Sequence, residues 1–173
     1  MERRSVLQGL AAGCALLQTK SALGSQANSA LSIGLIGTGN RGRFVADLVA
    51  RHTRGRIAAL CDIFSDQIDR GKTQIQGAAN APAHKDYQKL LADRSIDAVI
   101  IATPVYLHPE HFEAAVAAGK HIYCEKPAGA DVAGIKRLLR AAEQADRSHH
   151  IVFGFQNRFS PEYRVAHDLV RSG

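Results

Sequence analysis

The chain of 173 residues is 46% apolar and 22% charged, with a formal net charge of +6, a balance typical of globular domains. No stretch reaches the ~18 continuous apolar residues of a membrane span. The basic residues are scattered over several predicted helices and aromatics are few, which excludes a nucleic-acid surface built on a basic run or a stacking platform.

The chain opens with Glu2-Arg3-Arg4, an apolar and small stretch from Val6 to Leu17, and then Ser21-Ala22-Leu23-Gly24-Ser25-Gln26-Ala27. Charged, apolar and small-residue segments in that order read as an export signal and linker over residues 1–30. Arg3-Arg4 ahead of Ser5-Val6-Leu7-Gln8 resembles a twin-arginine signal, with Glu2 and Val6 as departures from that pattern. Cleavage after Gly24 and cleavage after Ala27 both satisfy the small-x-small rule. Leu10-Ala11-Ala12-Gly13-Cys14 is a fainter likeness to a lipoprotein box, and a plain N-terminal arm is the bland alternative. The export reading places the protein in the periplasm, an oxidising compartment.

Leu31 to Ile36 is a short apolar run, read as a buried strand, that enters Gly37-Thr38-Gly39-Asn40-Arg41-Gly42, a G-x-G-x-x-G. Phe44 to Val49 follow with helical apolar spacing. Strand, glycine turn and helix in this order are the context of a dinucleotide-binding fingerprint. Gly37 permits the tight turn, Gly39 lets the backbone approach a pyrophosphate, and Gly42 lets the helix pack close to the strand. Asn40 and Arg41 head that helix, whose N–H groups and partial positive charge face phosphate.

Arg56 to Asp62 reads as a second strand ending in an acid. Asp62 lies twenty positions beyond Gly42, where the fingerprint sets a carboxylate on the adenosine ribose hydroxyls. A carboxylate accepts from hydroxyls and repels a 2′-phosphate, so Asp62 favours NAD over NADP. The competing reading is an aspartate that caps the next turn.

Ser65 to Gln76 reads as a polar helix with Ile68 and Ile75 on one side. Ala83-His84-Lys85 reads as a short third strand, and Asp86 as the N-cap of a helix to Leu91. Ile96 to Ala102 is a β-branched, buried strand ending in Thr103-Pro104. Pro109 starts a helix, Glu110 to Ala118, stopped by Gly119. His121 to Cys124 is a fifth strand leading into Glu125-Lys126-Pro127. Asp131 caps a long helix to about Ala145, and Ile151 to Phe155 is a sixth strand. Ser160-Pro161-Glu162 opens a last helix, Tyr163 to Val170, with an apolar side of Val165, Ala166, Leu169 and Val170. Alternating strands and helices predict an α/β, Rossmann-type doubly wound parallel sheet over residues 31–155. Residues 156–173 read as the start of a second, α+β domain cut off after its first helix.

Of the three cysteines, Cys14 would leave with the signal. Cys61 and Cys124 fall at strand ends with two strands between them in the usual order of such sheets. That spacing is ~14 Å against a ~7 Å limit between Cα atoms for a disulfide, so both are expected to be unpaired, buried thiols. No second Cys or His stands at ligand spacing, so no metal is expected, and His149-His150 reads as a solvated loop pair.

Gly37-x-Gly39-x-x-Gly42, Thr103-Pro104 with His108, and Glu125-Lys126-Pro127 together resemble the glucose–fructose oxidoreductase/inositol dehydrogenase (Gfo/Idh/MocA) family. Gly154-Phe155-Gln156-Asn157-Arg158-Phe159-Ser160-Pro161 resembles that family's crossover into a second domain. The likeness runs from Leu31 to Gly173. It implies Lys126 beside the nicotinamide and the reacting substrate carbon, hydrogen-bonded to the substrate hydroxyl. Glu125 would bind the nicotinamide ribose, and Pro127 would fix the turn, where a cis bond fits. Thr103 and Pro104 would line the cofactor's path, with His108 near it and Arg158 among the cofactor contacts. Val105 stands where the family often has Asn.

The same resemblance implies an NAD-dependent oxidoreductase that passes hydride to or from a sugar or polyol. In a full-length form a second domain would supply the substrate pocket and the homo-oligomer contact. Two other readings stay open on these residues. One is a truncated nucleotide-binding remnant without catalysis. The other is an NAD-dependent glycosidase that reduces and reoxidises its cofactor within one turnover.

Overall fold

The computed structural model describes residues 30–173; the export-signal reading and Cys14 fall on residues outside those described. The strands are β1 (Ser32–Ile36), β2 (Arg56–Cys61), β3 (Ala83–His84), β4 (Ala98–Ile101), β5 (His121–Cys124) and β6 (Ile151–Phe153). The helices are α1 (Asn40–His52), α2 (Ser65–Gln74), α3 (Tyr87–Leu91), α4 (His108–Ala117), α5 (Val132–Glu143) and α6 (Pro161–Ser172). Short 3-10 turns span Val105–Leu107 and Gln156–Phe159. The sixth strand stops two residues sooner than its apolar run predicts, because the chain turns at Gly154-Phe155, where the Phe155 amide donates to the Phe153 carbonyl.

All neighbouring strands pair in parallel, in the order β3-β2-β1-β4-β5-β6. The chain therefore runs outward from β1 through β2 to β3, then returns to β4 on the other side of β1. That reversal opens a crevice at the carboxyl ends of β1 and β4, the place where open α/β sheets bind ligands. Among the described residues no helix is long and apolar enough to cross a membrane.

Alternate strand residues feed two cores, as the period of two requires, except across Ala58 of β2, where the pairing with β1 shifts register by one residue. Ile33, Leu35, Ile57, Leu60, Ala98 and Ile100 pack with Val45 and Ala46 of α1 and with Ile75. Ile36, Val99, Ile101, Ile122 and Cys124 pack on the other face with Leu90, Phe112, Ala115 and Leu138 of α3, α4 and α5. Gly34 admits α3: a Cβ there would lie 2.5 Å from Leu90 Cδ2. In α1 the buried stripe is Gly42, Arg43, Val45 and Ala46, while Phe44 and Leu48 are exposed. The aspartate caps form as expected: Asp86 accepts from the Gln88 amide and Asp131 from the Gly134 amide.

Cys61 and Cys124 are buried, unpaired thiols, kept apart by β1 and β4. Burial pushes each of them up to about 12. His150 stacks on His121 with ring centroids 5.4 Å apart, and His149 meets the same ring at a tilt, 5.0 Å away. Among the described residues no group of His, Cys, Asp or Glu is arranged to hold a metal ion.

Candidate functional site

The strand ladder continues one residue past most strand ends. Gly37 N–H donates to Cys61 O, Asp62 N–H to His84 O, Ala102 N–H to Ile36 O, Glu125 N–H to Ile101 O and Gly154 N–H to Cys124 O. These bonds set the glycine turn, Asp62, the Thr103 turn, the Glu125-Lys126-Pro127 turn and Gly154 along one edge of the sheet. Residues predicted from separate motifs thus meet there.

Gly37 takes φ +92°, and a Cβ on it would lie 2.7 Å from the Ala102 backbone. A Cβ on Gly42 would lie 1.9 Å from the Gly37 carbonyl oxygen. A Cβ on Gly39 meets nothing within 4 Å. Two of the glycines are therefore required by the fold itself, and Gly39 faces open space. Gly39 is the N-cap of α1, no side chain caps that helix, and no acid stands in its first turn. The N-terminal N–H groups and the positive end of the helix dipole are thus left to an anion from outside the chain.

Asp62 is half-buried. Its Oδ2 accepts the Thr38 amide at 2.8 Å, and its Oδ1 accepts the Phe64 amide at 3.0 Å. The carboxylate thus fastens the glycine turn to the end of β2 as well as capping the turn that follows. Arg43, which sequence spacing treats as an ordinary helix residue, is buried and serves as a hub. It donates to Thr38 O at 2.6 Å, Gln67 Oε1 at 2.7 Å, Gln74 Oε1 at 2.8 Å and Asn40 Oδ1 at 2.5 Å. Asn40 therefore spends its amide oxygen within the chain.

A cleft of about 270 Å³ is lined by Arg41, Ala102, Thr103, Val105, His108, Glu125, Lys126 and Gln156. Lys126 is exposed on its wall and Pro104 is exposed beside it. The Lys126-Pro127 peptide is cis. His108 is 1% exposed, with Nδ1 2.8 Å from Pro127 O and Nε2 2.8 Å from Thr103 O. It staples the two turns that frame the cleft. Thr103 Oγ1 lies 3.0 Å from His111 Nδ1. Burial lowers the His111 imidazole from its ordinary value.

Glu125 is 4% exposed and fully engaged. Its Oε1 accepts from Arg41 Nε at 2.8 Å and from the Tyr123 hydroxyl at 3.0 Å, and its Oε2 accepts the Lys126 amide at 3.1 Å. Gly154 seals this network, since a Cβ there would lie 2.6 Å from Tyr123 Oη. Arg158 does not join the cleft. It stacks its guanidinium 5.3 Å from the Phe155 ring centroid and lines a separate, open dish of about 920 Å³ with Tyr163, Arg164 and His167.

A doubly wound sheet with a glycine turn, an open helix N-terminus at its switch point and an acid at the end of β2 defines a dinucleotide-binding α/β protein. Residues 31–153 match the family described as "Oxidoreductase family, NAD-binding Rossmann fold", and the chain belongs to this Gfo/Idh/MocA family. It is 32% identical over 146 residues to an inositol 2-dehydrogenase of Corynebacterium glutamicum, covering 84% of this chain and 42% of that protein. It is 36% identical over 141 residues to an inositol 2-dehydrogenase of Leifsonia xyli, covering 80% and 40%. The fold is similar to that of scyllo-inositol dehydrogenase from Lactobacillus casei with bound NAD(H) and scyllo-inositol. The TM-score is 0.73 at 28% identity, covering 84% of this chain and 42% of that one. The chain thus spans about 42% of the length of relatives it matches. What it carries of them is the NAD-binding Rossmann domain.

Proposed function

We propose that this chain is the cofactor-binding part of an NAD-dependent oxidoreductase acting on a sugar or polyol. The observation that carries the reading is the cleft that joins the Thr103 and Lys126 turns beside an uncapped α1. Gly37, Gly39, Asn40 and Gly42 would hold the pyrophosphate with Arg41 beside them, Asp62 the adenosine ribose, and Thr103, Pro104 and His108 the path between the two halves. Glu125 and Lys126 would hold the nicotinamide end. NAD, when bound, supplies the hydride chemistry. The chain's own contribution is to orient it and to present Lys126 Nζ, which would hydrogen-bond a substrate hydroxyl and take or return its proton.

The inositol dehydrogenase relatives favour a cyclic polyol as the substrate class. The exposed apolar residues of the last segment, Phe159, Val165, Leu169 and Val170, support reading 156–173 as the start of a second domain. The order of charge, apolar and small residues over 1–30 supports twin-arginine export to the periplasm. Recovery of periplasmic protein shortened at Gly24 or Ala27 is the expected result; full-length cytoplasmic protein contradicts that proposal.

The deciding experiment is calorimetric titration of this chain with NAD, followed by incubation of a full-length form that carries the second domain with NAD and a panel of inositols and sugars while NADH absorbance is followed. Binding with net NADH formation, lost in Lys126→Ala, is the expected result. Hydrolysis of a glycoside without free NADH selects the glycosidase reading, and binding without turnover selects the remnant. No NAD binding at all overturns the proposal.

A further inference from the structure

Arg41 stands in the segment that the fingerprint gives to phosphate, yet its Nε is spent on Glu125, 84 residues further along the chain. The pair is asymmetric in exposure: 43% of the Arg41 side chain is accessible against 5% for Glu125. A carboxylate so buried is costly unless it is paired and hydrogen-bonded. Here three donors from three elements supply that: the Arg41 guanidinium from α1, the Tyr123 hydroxyl from β5 and the Lys126 amide from the turn itself. The Lys126 amide is thus held by the carboxylate that Arg41 holds. Gly154, on the far side, makes room for the carboxylate by having no side chain: a Cβ there would lie 3.0 Å from Glu125 Oε1.

We infer that Arg41 is a positioning residue that acts through Glu125 to fix the Lys126 turn for the nicotinamide end of the cofactor, rather than a phosphate ligand. The inference rests on the cofactor reading above and refines the part Arg41 plays in it. Without the guanidinium the carboxylate loses its charged partner and swings toward water. The Lys126 amide then loses its acceptor, and the wall of the cleft relaxes. The glycine turn is untouched, because it is fastened independently by Asp62 and Arg43. Tyr123 belongs to the same unit as a second donor to Oε1.

The test compares NADH with ADP, which carries the adenosine and the diphosphate but neither the nicotinamide nor its ribose. Both are titrated into the full chain and into Arg41→Met, Arg41→Lys, Glu125→Gln and the Arg41→Met/Glu125→Gln double variant. Arg41→Met is expected to weaken NADH about tenfold, the scale of one lost charge-assisted hydrogen bond, and to leave ADP within about twofold. Arg41→Lys should restore part of the loss. The double variant should lose little more than either single one, since both act through one contact. Equal weakening of both ligands by Arg41→Met overturns the inference and returns Arg41 to the phosphates. No weakening of either, or additive losses in the double variant, overturns it as well. Should Arg41→Met fail to fold, Tyr123→Phe, which removes one hydroxyl, must show the same selective loss of NADH, and equal or absent loss there is decisive against it. Failure of the unmodified chain to bind either ligand instead overturns the cofactor reading itself, and the inference with it.

Discussion

The Asp62 carboxylate accepts the buried Thr38 amide at 2.8 Å, so the acid at the end of β2 is part of the glycine turn's own support. Thr38 is 0% exposed, and its amide has no water to turn to. Asp62→Ala is therefore expected to cost about 1–3 kcal/mol of stability, the usual penalty for orphaning a buried donor. It is also expected to weaken NAD more than NADP, because the ribose hydroxyls lose an acceptor while the 2′-phosphate loses a repelling charge. Urea unfolding reads the first effect and parallel titrations with the two dinucleotides read the second. Equal loss of both dinucleotides would mean that Asp62 acts only by holding Thr38.

The three glycines separate folding from binding. A Cβ on Gly42 would lie 1.9 Å from the Gly37 carbonyl oxygen, and backbone on both sides cannot yield cheaply. Gly42→Ala should cost at least the ~1–3 kcal/mol of an overpacked core. Gly39 has φ −63° and open space around its missing Cβ, so Gly39→Ala should fold within ~0.5 kcal/mol of the parent. Any loss of NAD affinity in Gly39→Ala then reports contact with the ligand. Unchanged affinity would move the pyrophosphate away from this turn.

The contrast between local and distant pairing explains what the sequence made legible. Strands such as Ala98–Ile101 and caps such as Asp131 follow from patterns a few residues long, and they stand as expected. The glycine turn was equally readable, since strand, turn and helix are contiguous. Arg43 was not. Its position after Gly42 looks like the solvated side of a helix, and only the packing of α2 brings Gln67 and Gln74 to its guanidinium. The Arg41–Glu125 pair joins residues 84 positions apart, and Tyr123 looks like any strand aromatic until Gly154 closes over it. Each motif was visible alone, but the bonds between motifs depend on the order of the strands.

Tyr123 offers a spectroscopic check on that network. Burial, and then the Glu125 carboxylate, push its phenol up to about 12 from an ordinary 10.0. A negative neighbour resists formation of a phenolate, so Glu125→Gln should bring the value part of the way back, burial remaining as the larger cause. Tyrosine labelled with 13C at Cζ, followed by NMR across alkaline pH with Tyr123→Phe to assign the signal, measures the change. A titration unaltered by Glu125→Gln would place the carboxylate away from the hydroxyl.

Two histidines set the acid response. Burial lowers His111 below its ordinary 6.5. His121 is lowered by burial and then by His149 and His150. The geometry agrees, since the His150 amide donates to His121 Nδ1 at 2.9 Å and a proton on that nitrogen would break the bond. Above about pH 6.5 both rings are neutral in the folded and the unfolded chain, and neither affects the balance. As the pH falls below that value the unfolded chain takes up protons first, so it is favoured and stability declines down to the folded pKa values. The lowered carboxylates Asp47, Asp93, Asp146 and Glu162 lose their contribution as the pH falls through and below their ordinary values, 3.8 for the aspartates and 4.5 for the glutamate, which lie below the histidine window. The unfolding midpoint in urea should therefore fall between pH 7 and pH 5. His111→Gln and His121→Gln should each flatten that fall, whatever they do to stability at pH 7.5. A midpoint that holds constant from pH 7 to pH 5 would show that neither ring resists protonation in the folded chain.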